Sequence, residues 1–141
     1  MWYNRPMSWI LRSPLHRVLS KSTLLITLSG RKSGKLYTLP VNYVREGDIL
    51  WITSQRQRTW WRNLQGGAPV TLVLQGETRL ARGLAIEEPA EVADSLAAYL
   101  KLAPGLARYF DVGLDAGGEP IMEDIARAAE QRVVVRIDLV K

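Results

Sequence analysis

The 141-residue sequence contains no cysteine and only one histidine. Without a thiol, the chain has no disulfide framework, no cysteine nucleophile and no thiolate ligand for zinc or an iron–sulfur cluster. His16 alone cannot build a multi-histidine zinc site, and we expect it on a solvated helix face or in N-terminal packing. No metal site and no catalytic side chain are predicted, so an enzyme of this sequence needs an organic cofactor for its chemistry.

The sequence also lacks a long hydrophobic run. No apolar stretch approaches the roughly 20 residues that cross a bilayer. The N-terminal stretch "MWYNRPMSWILRSPLHRVLS" is basic and aromatic, but arginines interrupt its apolar residues and no small-residue cleavage site follows. This pattern argues against a secretory signal. The expected location is the cytoplasm.

Negative charge is scarce in the first half of the chain. Residues 1–62 carry 11 Lys and Arg against 2 Asp and Glu, whereas residues 63–141 carry 8 against 12. The basic half should attract nucleic acid, an anionic membrane surface, or a phosphorylated or polycarboxylate small molecule, and composition does not choose among them. Because no nucleic-acid-binding motif accompanies the charge, we expect no nucleic-acid partner. Weak membrane-surface association through the basic N-terminus stays open.

The order of strand and helix patterns predicts a mainly β protein of the α+β class. The strand-like runs are "TLLITLSG", "KLYTLPVNYVREGDILWITS", "PVTLVLQGETRLARGLAIEE" and "VVVRIDLV", with glycine turns at 47–48 and 76–77. Helical spacing begins at Pro89 and recurs in "EPIMEDIARAAEQR". These patterns predict a six-stranded antiparallel barrel with peripheral helices.

We expect one domain over residues 1–141. Its predicted parts are an N-terminal helical segment (1–21), the barrel strands (22–87), the helices (88–131) and the last strand (132–141). A short helix in "TWWRNLQGG" should begin at a Thr59 cap and end at two glycines. Pro40 cannot donate a ladder hydrogen bond, so its strand should be exposed or bulged there, a break suited to a ligand.

The stretch "SGRKSGKLYTLPV" is the first candidate site. It places Arg31, Lys32, Ser33 and Lys35 in a turn between two strands, with a glycine on each side of the first three. It is not a phosphate-binding P-loop, because it is one residue short and leads into a strand instead of a helix. Such a turn suits phosphate or carboxylate groups through inward N–H groups and charge-assisted hydrogen bonds. The alternative is a solvated basic turn that binds nothing.

Two further clusters carry aromatic residues. In "SQRQRTWWRN", one of the adjacent tryptophans, Arg62 and Asn63 suit a flat ring with a few fixed polar partners. Because adjacent helical residues point about 100° apart, only one of the tryptophans is expected in the core. In "AYLKLAPGLARYFDVGL", Tyr99, Tyr109 and Phe110 either cap a pocket or are rim residues.

The segments "LLITLSGRKSGKLYTLPVNYVREGDILWITS", "WWRNL" and "PVTLVLQGETRLARGLAI" together resemble the deazaflavin-dependent nitroreductase family. Its members are related to the FMN-binding, pyridoxamine-phosphate-oxidase-like split barrels. The resemblance implies a six-stranded split β-barrel, a homodimer and binding of the deazaflavin coenzyme F-420. It also implies hydride transfer to an electron-poor acceptor of quinone, nitro or enone type, with the basic turn receiving the coenzyme's phosphate and polyglutamate tail.

The resemblance also implies the site. The residues that match the family's cofactor site are Arg31, Lys32, Ser33, Gly34, Pro40, Val41, Asn42, Ser54, Gln55, Arg56, Trp60 and Asn63, and those expected on the substrate side are Tyr99, Tyr109, Trp2 and Trp9. Two positions depart from the family pattern: Tyr37 stands where many members have arginine, and "SQRQR" is a shortened loop. Arg56 or Arg58 would have to replace the missing cation.

Three functional classes remain open on the sequence. The first is a deazaflavin-dependent reductase. The second is a split-barrel protein that binds flavin mononucleotide or a tetrapyrrole such as haem or a bilin, which the shortened loop would also suit. The third is a nucleic-acid or membrane-surface binder that uses the basic half of the chain.

Overall fold

The computed structural model describes residues 23–140. The expectations for His16, Trp2, Trp9 and the N-terminal helical segment lie outside these residues. The strands are β1 (Thr23–Ser29), β2 (Leu36–Asn42), β3 (Val44–Glu46), β4 (Ile49–Gln55), β5 (Ala68–Leu74), β6 (Glu77–Ile86) and β7 (Arg132–Leu139). The α-helices are α1 (Pro89–Leu102) and α2 (Met122–Gln131), and two 3-10 helices span Trp60–Leu64, called the Trp60 helix below, and Pro104–Phe110.

The strands form one antiparallel sheet in the order β2-β1-β5-β6-β7-β4-β3. The two ends of this order, β2 and β3, are consecutive in the chain and are separated only by Tyr43. The sheet therefore curls until its first and last strands belong to one segment, which pairs with β1 before Tyr43 and with β4 after it. The predicted class, mainly β with peripheral helices, is confirmed. The sheet has seven strands instead of six because Tyr43 divides the second predicted strand.

The interruption expected at Pro40 lies three residues later. Pro40 is opposite Leu25, and the β1–β2 ladder runs through it in regular register from Thr23 to Ser29. Because β2 is at one end of the strand order, a residue without an N–H group can be accommodated there. The β5–β6 hairpin turns at Gln75 and Gly76, both with positive φ, one residue before the predicted position.

β7 is buried on both faces, which explains its continuous apolar run. Val133, Val135 and Ile137 face the barrel interior, and Val134 packs with Val92 of α1. The buried face of α1 consists of Val92, Leu96, Tyr99 and Leu100, as the spacing predicts. Within residues 23–140, no helix is both long and apolar enough to cross a membrane.

The Trp60 helix rests on a glycine of the sheet. A Cβ atom at Gly83 of β6 would lie 3.1 Å from Leu64 Cδ1 and 3.2 Å from Ile137 Cδ1. Both of these side chains are fully buried, so neither can move aside easily. Thr59 precedes the helix as predicted but makes no side-chain capping bond. Packing of Leu64 on Gly83, not the cap, holds this helix against the barrel.

Replacing Gly83 by valine should therefore destabilise the protein. The branched side chain must displace Leu64 or Ile137, and overpacking of this kind costs about 1–3 kcal/mol. Urea denaturation measures the free energy of unfolding. Thr78→Val, at an exposed position of the same strand β6, is the matched control and should change that free energy by less than about 0.5 kcal/mol. Equal stability of Gly83→Val and wild type would contradict the packing described for the Trp60 helix.

Candidate functional site

Two adjoining grooves contain most of the predicted site residues. The first, the basic groove, has a volume of about 940 Å³ and is lined by Leu28, Gly30, Arg31, Lys32, Ser33, Tyr37, Leu39, Gln57, Arg58, Thr59, Trp60, Arg62, Asn63 and Gln65. The second, the aromatic groove, has a volume of about 600 Å³ and is lined by Thr23, Pro40, Val41, Asn42, Tyr43, Thr53, Ser54, Arg58, Trp60, Tyr99, Leu106, Tyr109, Phe110 and Arg132. Arg58 and Trp60 belong to both grooves.

The turn between β1 and β2 is closed by its own backbone. Gly34 N–H donates to the Gly30 carbonyl and Gly30 N–H to the Lys35 carbonyl, each at 2.8 Å. Lys35 N–H donates to Ser33 Oγ at 3.2 Å. These three N–H groups have acceptors within the turn and are not available to an anion. Of the side-chain cations of the turn, Arg31 and Lys32 line the basic groove and Lys35 does not.

Asn63 joins this turn to the Trp60 helix. Its Oδ1 accepts the Arg31 N–H at 3.0 Å, and its Nδ2 donates to the Trp60 carbonyl at 3.0 Å. The Arg31 guanidinium continues the link by donating to the Gln65 carbonyl. Gln65 Nε2 in turn donates to the Glu87 carboxylate at 3.0 and 3.1 Å. Asn63 lines the basic groove, but both ends of its amide already bind protein backbone.

Trp60 forms the wall between the two grooves. Its indole Nε1 donates to Ser54 Oγ at 3.1 Å, and Ser54 Oγ donates to the Gln55 carbonyl at 3.2 Å. Ser54 is only 5% exposed, so this hydroxyl fixes the indole from inside the barrel. Trp61 is buried as well, so the expectation that only one tryptophan is core was wrong. A 3-10 turn placed over the end of the barrel leaves both indoles covered.

The arginines of the shortened loop have different positions. The Arg56 guanidinium donates to the carbonyls of Glu87 and Arg132 at 2.7 and 3.0 Å and lines neither groove. Gln55 also lies outside both grooves and accepts a bond from Gln57 Nε2 at 3.0 Å. Of the two arginines considered as replacements for the missing cation, Arg58 is the one at the site.

The aromatic groove lies between β2 and β4, which are not paired with each other, and Tyr43 lines it as well. Tyr99 is almost fully buried there, whereas Tyr109 is 75% exposed at the rim. Burial raises the pKa of the Tyr99 phenol above 10.0, and its hydrogen bond with Thr53 opposes that rise. Burial likewise raises the pKa of the Tyr43 phenol. Both side chains are therefore neutral hydrogen-bonding phenols at physiological pH.

The structure brings together most of the predicted residues and adds others. Gly34 has a positive φ of 71° at the turn but does not line a groove. Trp9 lies outside the described residues. Arg132 and Leu106 were not predicted, and no local signal identifies them, because strand register and helix packing bring them to the site. Gln57 belongs to the loop "SQRQR" that was expected at the site, but it was not named among the site residues. Among residues 23–140, no group of three or more His, Cys, Asp or Glu side chains could hold a metal ion.

A protein-family model described as F420H(2)-dependent quinone reductase matches residues 12–109. The chain belongs to this family. It is an oxidoreductase enzyme of the deazaflavin-dependent kind, which agrees with the resemblance of its basic turn and "WWRNL" segment to deazaflavin-dependent reductases. No curated protein sequence matches the chain.

Solved structures share the fold at low sequence identity. The general stress FMN/FAD binding protein from Xanthomonas citri is 15% identical with a TM-score of 0.54, over 100% of this chain and 87% of that one. A FAD and haem binding protein from Mycobacterium smegmatis is 17% identical with a TM-score of 0.52, over 92% and 67%. A structure described as a domain-swapped dimer is 19% identical with a TM-score of 0.52, over 97% of both chains. At these identities the likeness shows the fold alone.

The bond between Asn63 and Arg31 gives a testable prediction. In Asn63→Ala, the Arg31 amide loses its acceptor and should exchange with solvent about three- to tenfold faster, because one such bond contributes about 0.5–1.5 kcal/mol. Amide hydrogen exchange by NMR measures this rate. The amides of Gly30 and Gly34 bond within the turn and should keep their rates. Gln57→Ala, which removes an exposed side-chain amide shortly before the Trp60 helix, is the control variant. Unchanged exchange at Arg31 would show that Asn63 does not hold the turn.

Proposed function

We propose that this enzyme binds a reduced deazaflavin coenzyme across the two grooves and transfers hydride from it to a quinone or to another electron-poor acceptor of nitro or enone type. One observation carries the proposal. A groove with several cations meets a groove with aromatic walls, and the two share Trp60 and Arg58. A cofactor with an anionic tail and a flat ring requires these two environments side by side.

The basic groove fits an anionic tail. None of its lining residues is Asp or Glu, and its cations are Arg31, Lys32, Arg58 and Arg62. Arg31 is partly occupied by Gln65, whereas Lys32, Arg58 and Arg62 have no ion-pair partner within residues 23–140. These cations attract phosphate and carboxylate groups and can form charge-assisted hydrogen bonds with them. They are the residues that would hold the phosphate and polyglutamate tail.

The aromatic groove supplies the surroundings for the reaction. When bound, the coenzyme provides the hydride, and the chain provides orientation, water exclusion and hydrogen-bond donors. Ser54 holds the Trp60 indole in place as a wall for a flat ring. The neutral Tyr99 phenol can donate a hydrogen bond to negative charge that develops on an acceptor oxygen. Pro40, Val41 and Asn42 line the same groove from β2.

A second candidate is a carrier of flavin mononucleotide or a tetrapyrrole. Two proteins of the same fold are described as binding FMN or FAD and as binding FAD and haem. The cations of the basic groove also suit a flavin phosphate.

Tryptophan fluorescence distinguishes the two candidates, since Trp60 lies where the grooves meet. The apo-protein is titrated separately with oxidised deazaflavin coenzyme and with flavin mononucleotide, with correction for the inner-filter effect. We expect saturable quenching by the deazaflavin at much lower concentration, followed by turnover of a quinone when the coenzyme is reduced. Tighter binding of flavin mononucleotide would favour the flavin carrier, and quenching by neither ligand would refute the reductase and the flavin carrier and leave the tetrapyrrole carrier.

Lys32 tests the placement of the tail. Lys32→Ala removes a cation of the basic groove and should weaken deazaflavin binding about three- to tenfold at low salt, with a smaller effect at high salt. Lys35→Ala removes the same charge from the same turn, but Lys35 does not line the groove. This control should change affinity less than twofold. Equal losses of affinity in the two variants would contradict a direct contact with Lys32 and indicate that the turn attracts the tail only through its total charge.

We further propose that the enzyme is a homodimer in the cytoplasm. The domain-swapped dimer of the same fold supports this assembly, as do Leu80 and Leu84, which are 64% and 40% exposed on the outer face of β6. Light scattering after size exclusion should give twice the 15.9 kDa chain mass. Leu80→Glu with Leu84→Glu should lower that mass towards the monomer. A wild-type mass of 15.9 kDa would contradict the dimer.

A further inference from the structure

Two arginines of β7 lie over aromatic rings, but only one has a carboxylate partner. The Arg136 guanidinium is 5.8 Å from the Trp51 ring centroid and bonds the Asp138 carboxylate at 3.0 Å. The Arg132 guanidinium is 4.9 Å from the Phe110 ring centroid. Within residues 23–140 it has neither an ion-pair partner nor a hydrogen-bond acceptor. The charge of Arg136 is therefore neutralised by Asp138, whereas among the described residues no carboxylate neutralises the charge of Arg132 and no acceptor binds its guanidinium N–H donors.

The backbone of Arg132 is held firmly. Arg132 pairs with Gln55 at the end of the β4–β7 ladder, and its carbonyl accepts a bond from the Arg56 guanidinium at 3.0 Å. The same guanidinium donates to the Glu87 carbonyl at 2.7 Å. These bonds fix the start of β7, and the Phe110 ring supports the side chain. The half-buried guanidinium therefore remains in the aromatic groove.

The electrostatics of this groove favour an anion. Its lining includes two guanidinium groups, those of Arg58 and Arg132, and no Asp or Glu. Most of its other lining residues have aromatic or aliphatic side chains, so the charge is less screened than on an open surface. A planar guanidinium binds carboxylate-like groups with paired, charge-assisted hydrogen bonds. An electron-poor ring stacked among the aromatic side chains would present an acidic substituent to Arg132.

We infer that Arg132 binds an acidic group on the electron acceptor. The preferred acceptors are then electron-poor ring compounds that carry a carboxylate or a sulfonate group. This inference rests on the proposed function and names the substrate class of the same site. The acidic group keeps its charge throughout, while the acceptor gains a hydride from the coenzyme and a proton from solvent. The anionic tail of the coenzyme is assigned to the other groove, beyond Trp60.

A pair of quinones with the same ring system tests the inference. The ligand 1,4-naphthoquinone-2-sulfonate is ionised at neutral pH and keeps an electron-poor ring, whereas 2-methyl-1,4-naphthoquinone is neutral. Because the chain has no cysteine, quinone addition to thiols cannot interfere. Binding of each to the protein loaded with oxidised coenzyme is measured by tryptophan quenching in wild type, Arg132→Gln, Arg132→Lys and Arg136→Gln. Thermal unfolding of each variant checks that it is folded.

We expect wild type to bind the ionised quinone at least about fivefold more tightly than the neutral one. Arg132→Gln should remove this preference while binding of the neutral quinone changes less than twofold, and Arg132→Lys should restore part of it. Arg136→Gln should behave as wild type. In turnover with reduced coenzyme, Arg132→Gln should raise KM for ionised acceptors and leave kcat nearly unchanged.

Three results would overturn the inference: no preference in wild type, a preference that survives Arg132→Gln, or an equal loss of coenzyme affinity in that variant. The last result would place Arg132 in the coenzyme site. Failure of the proposed function is separate, since it would appear as absence of coenzyme binding or of any quinone turnover. Turnover of neutral quinones without a preference for ionised ones would retain the function and remove only this inference.

Discussion

The division of one strand at Tyr43 is the constraint on which the rest of the structure depends. Backbone N–H and C=O groups must find partners, and this segment finds them on two different strands, β1 before Tyr43 and β4 after it. The sheet must curl for one segment to reach both. Before Tyr43 the segment pairs with β1 and not with β4, and residues of both β2 and β4 line the aromatic groove. The same hydrogen-bonding requirement that closes the sheet thus creates the opening.

Around this opening, several polar residues of the site motifs form hydrogen bonds with other protein atoms. Asn63 spans the basic turn and the Trp60 helix, Ser54 holds the Trp60 indole, and Arg56 ties the start of β7 to the carbonyl of Glu87. These bonds are made to backbone groups or to a buried hydroxyl. The side chains left to meet a ligand are mainly the cations and the aromatic rings. Positioning and binding are therefore divided between different residues of the same short motifs.

Much of the fold could be predicted from local patterns. Period-two alternation predicted the strands of the β5–β6 hairpin, and helical spacing predicted the buried face of α1, because each depends on neighbours within a few residues. The strand break was expected at Pro40 because proline is a local signal, whereas the break at Tyr43 arises because the two parts of the segment pair with different strands, β1 and β4. The burial of Trp61 likewise depends on where the Trp60 helix lies over the barrel.

The site was predicted less completely for the same reason. A motif shows which residues are near in sequence, so the basic turn and the Trp60 helix were found, whereas Arg132 reaches the groove through the register of β7 against β4. A motif also does not reveal what a polar side chain bonds. Asn63 and Arg56 were expected to face a cofactor, and in the structure their polar groups bind protein atoms.

Trp60 and Arg58 belong to both grooves, so ligands bound in the two grooves, as proposed above, would contact the same two side chains. Ser54 already holds the Trp60 indole, whereas Arg58 is exposed, so a ligand in the basic groove that orders Arg58 would lower the entropic cost of binding the second ligand. By thermodynamic reciprocity, the second ligand strengthens the binding of the first by the same factor. The order in which the two sites are filled would then follow from relative concentrations, without any movement of the barrel.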